Sequence, residues 1–322
     1  MKEFTHVNAT SIANAEAVLA QYGNKAKLIA GGTDLLGILK QRCLPVQPEC
    51  IINIKTIPDL DYVREDSNGL KLGALARLHD IAFSSIVTSK YPALAAAARS
   101  VASWQIRSMG TIGGNICQEN RCWYFRSSWN KFNCLRKGSG GTCYALSGNN
   151  YEHSIFGHAS SCFVAHPSDT APALIALDAS IKTNKRTVAA SSFFDGFKGT
   201  TLAADEFVVE IQVPTPPAGS KQGFAKASVR RAIDFALVNA ACLVTPASGN
   251  ITSARVVIGA AAPVPFRSAK AEEALIGKSL SEATATAAAE AAVATGSGIM
   301  PLPQNGYKVQ VTKGVVKRAL LA

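Results

Sequence analysis

Apolar positions recur along the first third of the chain at two spacings. Residues 12–22, IANAEAVLAQY, bring apolar side chains to one face at helical intervals, and AKLIAGGTDLLGILK at 26–40 reads as a strand, a glycine turn and a short helix. The compact apolar runs IINIK at 51–55 and LKLGALARL at 70–78 predict strands, and YPALAAAARSVAS at 91–103 predicts a helix. A first small lobe is expected to close near Ile54.

Beyond residue 170 the pattern changes. EFVVEIQVP at 206–214 runs apolar into a proline, as a strand end does, and PTPPAGSKQG at 214–223 is the strongest linker signal in the chain. FALVNAACLVT and SARVVIGAAA are strand-like, followed by an alanine-rich helix at 281–295 and a last helix at 311–321. A further domain is therefore expected from residue 220. No internal repeat stands out.

Composition narrows the class. The 322 residues are 48% hydrophobic and 17% charged, enough to bury more than one core. No apolar run approaches the ~20 residues of a membrane span. Residues 1–10 lack the apolar centre of a secretory signal, so a cytoplasmic address is expected, or a periplasmic one if a partner carries an export signal for both. The net charge of +11 points to acidic partners or anionic ligands. Nucleic acid is not expected, since no stacking-aromatic module, basic helix or zinc finger is present. Eight cysteines without a secretory signal argue against a disulfide framework and raise metal binding instead.

Two glycine turns carry candidate chemistry. In LIAGGTDLL, Gly31 and Gly32 stand where a strand turns into a helix, so that backbone N–H groups can approach an anion; MGTIGGNI repeats the device at Gly113, Gly114 and Asn115. Neither has the spacing of the dinucleotide fingerprint or the phosphate loop, and each alone reads equally as a plain turn. Behind the second lies CQENRCWYFRSSWNKFNC at 117–134. Cys122, Cys134, Cys143 and Cys162 have 11, 8 and 18 residues between them, without the close Cys-x-x-Cys pair usual in zinc sites. An iron–sulfur cluster, a zinc ion and unligated buried thiols all remain open on spacing alone. Cys43, Cys50 and Cys242 sit in apolar surroundings and read as packing residues, whereas Cys117 stays unassigned.

LIAGGTDLL, GTIGGNI, HPSDTAPALIALDA and RRAIDFALVNAA, in this order, resemble the flavin-binding subunits of the molybdenum hydroxylases, the xanthine dehydrogenase family. The resemblance spans nearly the whole chain. It implies an α+β protein with a two-lobed FAD-binding domain of the PCMH type, lobes 1–55 and 56–216, and a smaller α+β domain at 220–322 of the CO dehydrogenase flavoprotein type. It resembles in particular the members with an inserted loop, here 118–162, that binds an extra [4Fe–4S] cluster: aldehyde oxidoreductases and 4-hydroxybenzoyl-CoA reductase. The implied cluster ligands are Cys122, Cys134, Cys143 and Cys162. The implied FAD contacts are Lys27, Leu28, Ile29, Ala30, Gly31, Gly32, Thr33 and Asp34 at the pyrophosphate, with Thr111, Gly114, Asn115 and Gln118 on the second wall. Ser168 and Asp169 match the family's Ser–Asp pair, Val208 an apolar contact and Lys226 a lysine that reaches the flavin. Asp169 also reads as a helix N-cap, Val208 as core and His166 as structural.

No catalytic residue is implied. The implied partners are a molybdenum-containing large subunit, a [2Fe–2S] small subunit and a carrier such as ferredoxin or a nicotinamide. The rival readings are a 4-hydroxybenzoyl-CoA reductase β subunit, a self-sufficient flavin oxidase and a zinc-stapled binding module.

Overall fold

The computed structural model describes residues 1–138 and 140–322. The chain opens with β1 (Thr5–Asn8), α1 (Ile12–Tyr22), β2 (Ala26–Ile29), α2 (Leu35–Gln41) and β3 (Cys50–Asn53). The three strands form a parallel sheet in the order β1-β3-β2, with Val7 and Leu28 both level with Ile52. Parallel neighbours require crossovers, which the two helices provide. α1 starts where it does because Ser11 Oγ accepts the Asn14 N–H at 3.1 Å while Asn14 Oδ1 accepts the Thr10 N–H at 3.2 Å. Ala15 and Leu19, one turn apart, form its buried face.

The second lobe runs β4 (Val63–Asp66), β5 (Gly69–Gly73), α3 (Leu78–Phe83), α4 (Ser85–Lys90), α5 (Pro92–Ser100), α6 (Trp104–Met109) and α7 (Ile112–Ile116). From 117 to 169 the described residues contain no α-helix or strand, only single 3₁₀ turns at 128–130, 135–137 and 144–146. Then follow α8 (Thr170–Ala176), β6 (Ser180–Thr183), β7 (Thr187–Ala189), α9 (Ala190–Phe193), the short β8 (Phe194–Asp195) and β9 (Gly199–Thr200), and β10 (Val208–Val213). The main sheet is antiparallel in the order β4-β5-β10-β6-β7.

The last domain has β11 (Lys221–Ala227), β12 (Val238–Ala247), β13 (Asn250–Gly259), β14 (Phe266–Arg267), α10 (Ala269–Leu275), α11 (Glu282–Ala292) and α12 (Tyr307–Leu321). Its strands pair in sequence order, antiparallel. Side chains alternate between faces. Ala241 and its partner Val257 join the second lobe's core with Leu174, whereas Ala240, Cys242, Val256 and Ile258 join the core under α11 and α12 with Ala285 and Val315. Both faces being covered, Val238 to Val244 is an unbroken buried run. The stretch at 214–223 is thus a covalent linker between elements that share a core.

Three local expectations need correction. The second glycine turn follows a helix rather than a strand. Thr111 caps α7, its Oγ1 accepting the Gly114 N–H at 3.2 Å, so Ile116 is helical and not strand-like. The last helix begins at Tyr307, four residues before the predicted start, because the 303–306 turn delivers it directly.

Candidate functional site

A cleft of about 460 Å³ opens between the β2–α2 turn, the α6–α7 corner and the loops before α8 and β12. Lys27, Leu28, Ile29, Ala30, Gly31, Gly32, Thr33 and Asp34 line one wall, Thr111, Gly114, Asn115 and Gln118 the other, and Asp169 sits among the lining residues. Both glycine turns therefore converge on one space. Gly31 makes this possible, since a Cβ there would meet Met109 O at 2.1 Å. The N–H groups of Gly31, Gly32, Thr33 and Asp34 take no acceptor among the described residues. At Gly114, also a lining residue, a Cβ would meet only Thr111 Oγ1, at 3.0 Å.

Three predicted contacts lie outside this lining. Ser168 is fully buried behind the wall: its Oγ donates to Asn115 Oδ1 at 2.6 Å and accepts the Ala171 N–H at 3.1 Å. Thr170 Oγ1 donates to the same Asn115 oxygen at 2.7 Å. These two hydroxyls orient the Asn115 amide. Asp169 stands at the N-cap position of α8 without capping it, because the Ser168 hydroxyl does so. Its carboxylate accepts instead from Lys226 Nζ at 2.6 Å and Asn239 Nδ2 at 2.7 Å. Burial pushes the Asp169 carboxyl up, opposed by Lys226 and Asn239. Lys226 Nζ, held also by Ser100 O at 3.0 Å, stands directly behind the lining residue Asp169. Val208 is buried in β10 as core. His166 Nδ1 accepts the Ser168 N–H at 3.4 Å and its ring packs edge-on to Phe194, a structural role.

The cleft also takes Val101, Ile106, Ile233 and Phe235 into its lining; the last two lie in the RRAIDFALVNAA motif, but none was singled out as a contact. They are isolated apolar residues in or beside short helices and loops. Only the α6–α7 corner and the loop before β12 bring them to one place.

Next to the cleft lies the cysteine segment. Each of Cys122, Cys134, Cys143 and Cys162 is near enough to influence the ionisation of at least one of the others. Burial pushes the Cys122 thiol up to about 12 and raises those of Cys134 and Cys162. Nearby backbone counters it, at Tyr124 and Phe125 for Cys122, Arg136 for Cys134 and Val164 for Cys162, and Cys122 Sγ lies 3.3 Å from His153 Nε2. Lys137 Nζ is buried without a hydrogen-bond partner among the described residues, 5.6 Å from the Phe125 ring centre. Among the described residues, no three His, Cys, Asp or Glu converge tightly enough to hold a single metal ion. Cys43, Cys50 and Cys242 are buried in the packing, and Cys117 is exposed in the cleft lining.

The far end of this segment is pinned to α12. Lys308, fully buried, donates from Nζ to the carbonyls of Glu152 and His153 at 3.1 Å and of Ala260 at 2.6 Å. Burial lowers its pKa to about 7.

Residues 2–216 match the family described as FAD binding domain in molybdopterin dehydrogenase, and residues 224–322 the CO dehydrogenase flavoprotein C-terminal domain. The chain is 34% identical over 279 residues to the aldehyde oxidoreductase FAD-binding subunit PaoB of Escherichia coli (strain K12), covering 83% of this chain and 84% of that one. It is 30% identical over 318 residues to the carbon monoxide dehydrogenase medium chain of Hydrogenophaga pseudoflava, covering 97% and 94%. A solved structure of that organism's carbon monoxide dehydrogenase, lacking the Mo-pyranopterin moiety, superposes with a TM-score of 0.78 over 100% of this chain and 97% of the matched chain.

Proposed function

The chain belongs to the FAD-binding medium subunits of the molybdenum hydroxylases, and on that membership we propose that FAD occupies the cleft while Cys122, Cys134, Cys143 and Cys162 hold one [4Fe–4S] cluster. The observation that carries the cluster is the set of four neighbouring thiols beside the partnerless Lys137 ammonium. Buried thiols stay protonated unless something cationic holds them as thiolates, and iron does so. A four-iron cluster gives each iron one thiolate, which spreads the sulfurs wider than the ligands of one zinc ion.

The cleft fits FAD by its donors. The N–H groups of residues 31–34 and the Thr33 hydroxyl would bind the pyrophosphate, the oriented Asn115 amide would contribute a further polar contact, and Val101, Ile106 and Ile233 would keep water from the apolar part. Bound there, FAD exchanges electrons in pairs or singly and the cluster exchanges them singly. The subunit would pass electrons between a [2Fe–2S] small subunit and an external carrier, ferredoxin or a nicotinamide, while a molybdenum-containing large subunit handles the organic substrate. An aldehyde is the substrate class favoured by the E. coli relative. Among the described residues no helix is long and apolar enough to cross a membrane.

Purification under anaerobic conditions with the partner subunits tests this reading. About four irons and one spin-half signal on reduction beyond those of the [2Fe–2S] subunit, and one flavin per copy of this chain, are expected. A colourless chain containing zinc overturns it. The net charge of +11 would steer acidic carriers, so turnover with ferredoxin should fall as salt rises; a flat response removes that part.

A further inference from the structure

Asp34 lines the cleft two residues after Gly32, yet its carboxylate is committed elsewhere. Oδ1 accepts from Arg121 Nη1 at 2.5 Å and from Arg126 Nη2 at 2.6 Å, and Oδ2 accepts the Glu119 N–H at 2.9 Å. The Asp34 side chain is 18% exposed and those of Arg121 and Arg126 are 24% and 14% exposed, so water screens these contacts only partly.

The two arginines spread the tie outward. Arg126 also donates from Nε to Asn120 O at 2.6 Å and from Nη2 to Glu119 O at 3.1 Å. Arg121 donates to Gln118 Oε1 at 2.7 Å and lies 4.3 Å from the Phe235 ring centre across the cleft. Cys122 stands between the two arginines in sequence, and its own N–H is held by Asn120 Oδ1 at 3.0 Å. One carboxylate on the β2–α2 turn therefore fastens the stretch that presents the first thiol. With no helix or strand in this stretch, such polar ties set its position.

We propose that Asp34 is a positioning residue that couples the two cofactor sites, making FAD binding and cluster assembly mutually favourable. The inference rests on the two-site reading above. Holding residues 119–126 against the turn orders the cleft wall at Gln118 and the thiol at Cys122 together, so either bound group lowers the ordering required by the other. Coupling of this kind is reciprocal: each group tightens the other by the same factor.

The test measures FAD affinity of the full chain by ultrafiltration, with the cluster in place and after iron is removed by chelation. Wild type should bind FAD on the order of tenfold more tightly with the cluster present. In Asp34→Asn, which keeps the side-chain shape and removes the charge, the factor should fall towards one. Arg126→Gln, which leaves the Arg121 contact, should give an intermediate factor, and circular dichroism verifies folding. A role confined to fold stability would lower the melting temperature and leave the factor unchanged, which overturns the proposal. So does a factor of one in wild type that binds both FAD and four irons. A wild type that binds neither four irons nor FAD refutes the underlying reading, and the coupling with it.

Discussion

The cleft and the cysteine segment are neighbours built on opposite principles. The cleft's glycine walls are the ends of regular elements: the β2–α2 turn hangs from a parallel sheet, and Thr111 starts a helix with its own hydroxyl. Hydrogen-bond ladders shape those walls whether or not anything is bound. The segment from 117 to 169 is held by irregular ties instead of ladders: side chains reaching backbone, as Arg126 does to Asn120 and Lys308 to Glu152, His153 and Ala260, and scattered backbone bonds such as Ile155 N–H to Ala261 O at 2.8 Å. Its thiols are arranged by such ties and are opposed by burial until something holds them as thiolates. A rigid site and a site completed by its occupant should therefore fail differently.

The largest separation is expected from the thiols. Cys134→Ser or Cys143→Ser should abolish the four-iron signal while FAD at saturating concentration still binds, because serine oxygen is a poor donor to iron. Cys117→Ser should keep the signal; the reverse pattern in paramagnetic resonance would reassign the ligands. In the opposite direction, Gly114→Val adds branched carbons at a lining position, against Thr111 Oγ1. FAD should bind roughly ten- to a hundredfold more weakly with the iron count unchanged. Full flavin occupancy in a dialysed sample would take Gly114 off the wall.

A finer contrast concerns charge. Lys137→Met removes a buried cation from beside the thiols. The iron count should hold and the cluster's midpoint potential should drop, on the order of tens of millivolts, because the reduced form carries the extra negative charge. An unchanged potential in a redox titration would separate Lys137 from the cluster.

The smallest expected effect is on stability. Burial lowers the Lys308 pKa to about 7 in the folded chain, against an ordinary value of 10.5, so between those values the unfolded chain binds more protons. Wild type should gain stability as pH rises through this window, by at most about 1.4 kcal/mol per pH unit. Lys308→Met should lose that slope in urea denaturation. Equal slopes would remove Lys308 from the account of how the segment is pinned.

Some of this was written locally. Helical spacing at 12–22 made α1 readable to the residue, and the two glycine turns marked both walls. The thiols that lie together were also the four separated from the apolar runs around Cys43, Cys50 and Cys242. Such features depend on neighbours a few residues away, where periodicity, capping and backbone freedom act.

Tertiary structure alone decided the partners of the charges. Nothing local to Lys226 foretells that Asp169, 57 residues away, takes its ammonium. Asp34 stands in the turn by sequence, but only the fold shows that its carboxylate goes to Arg126, 92 residues away. Ser168 disappears behind Asn115, and the last sheet shares a core with the second lobe through Ala241 and Val257. A buried charge or hydroxyl must find a partner wherever packing brings one, and sequence distance places no limit on which residue that is.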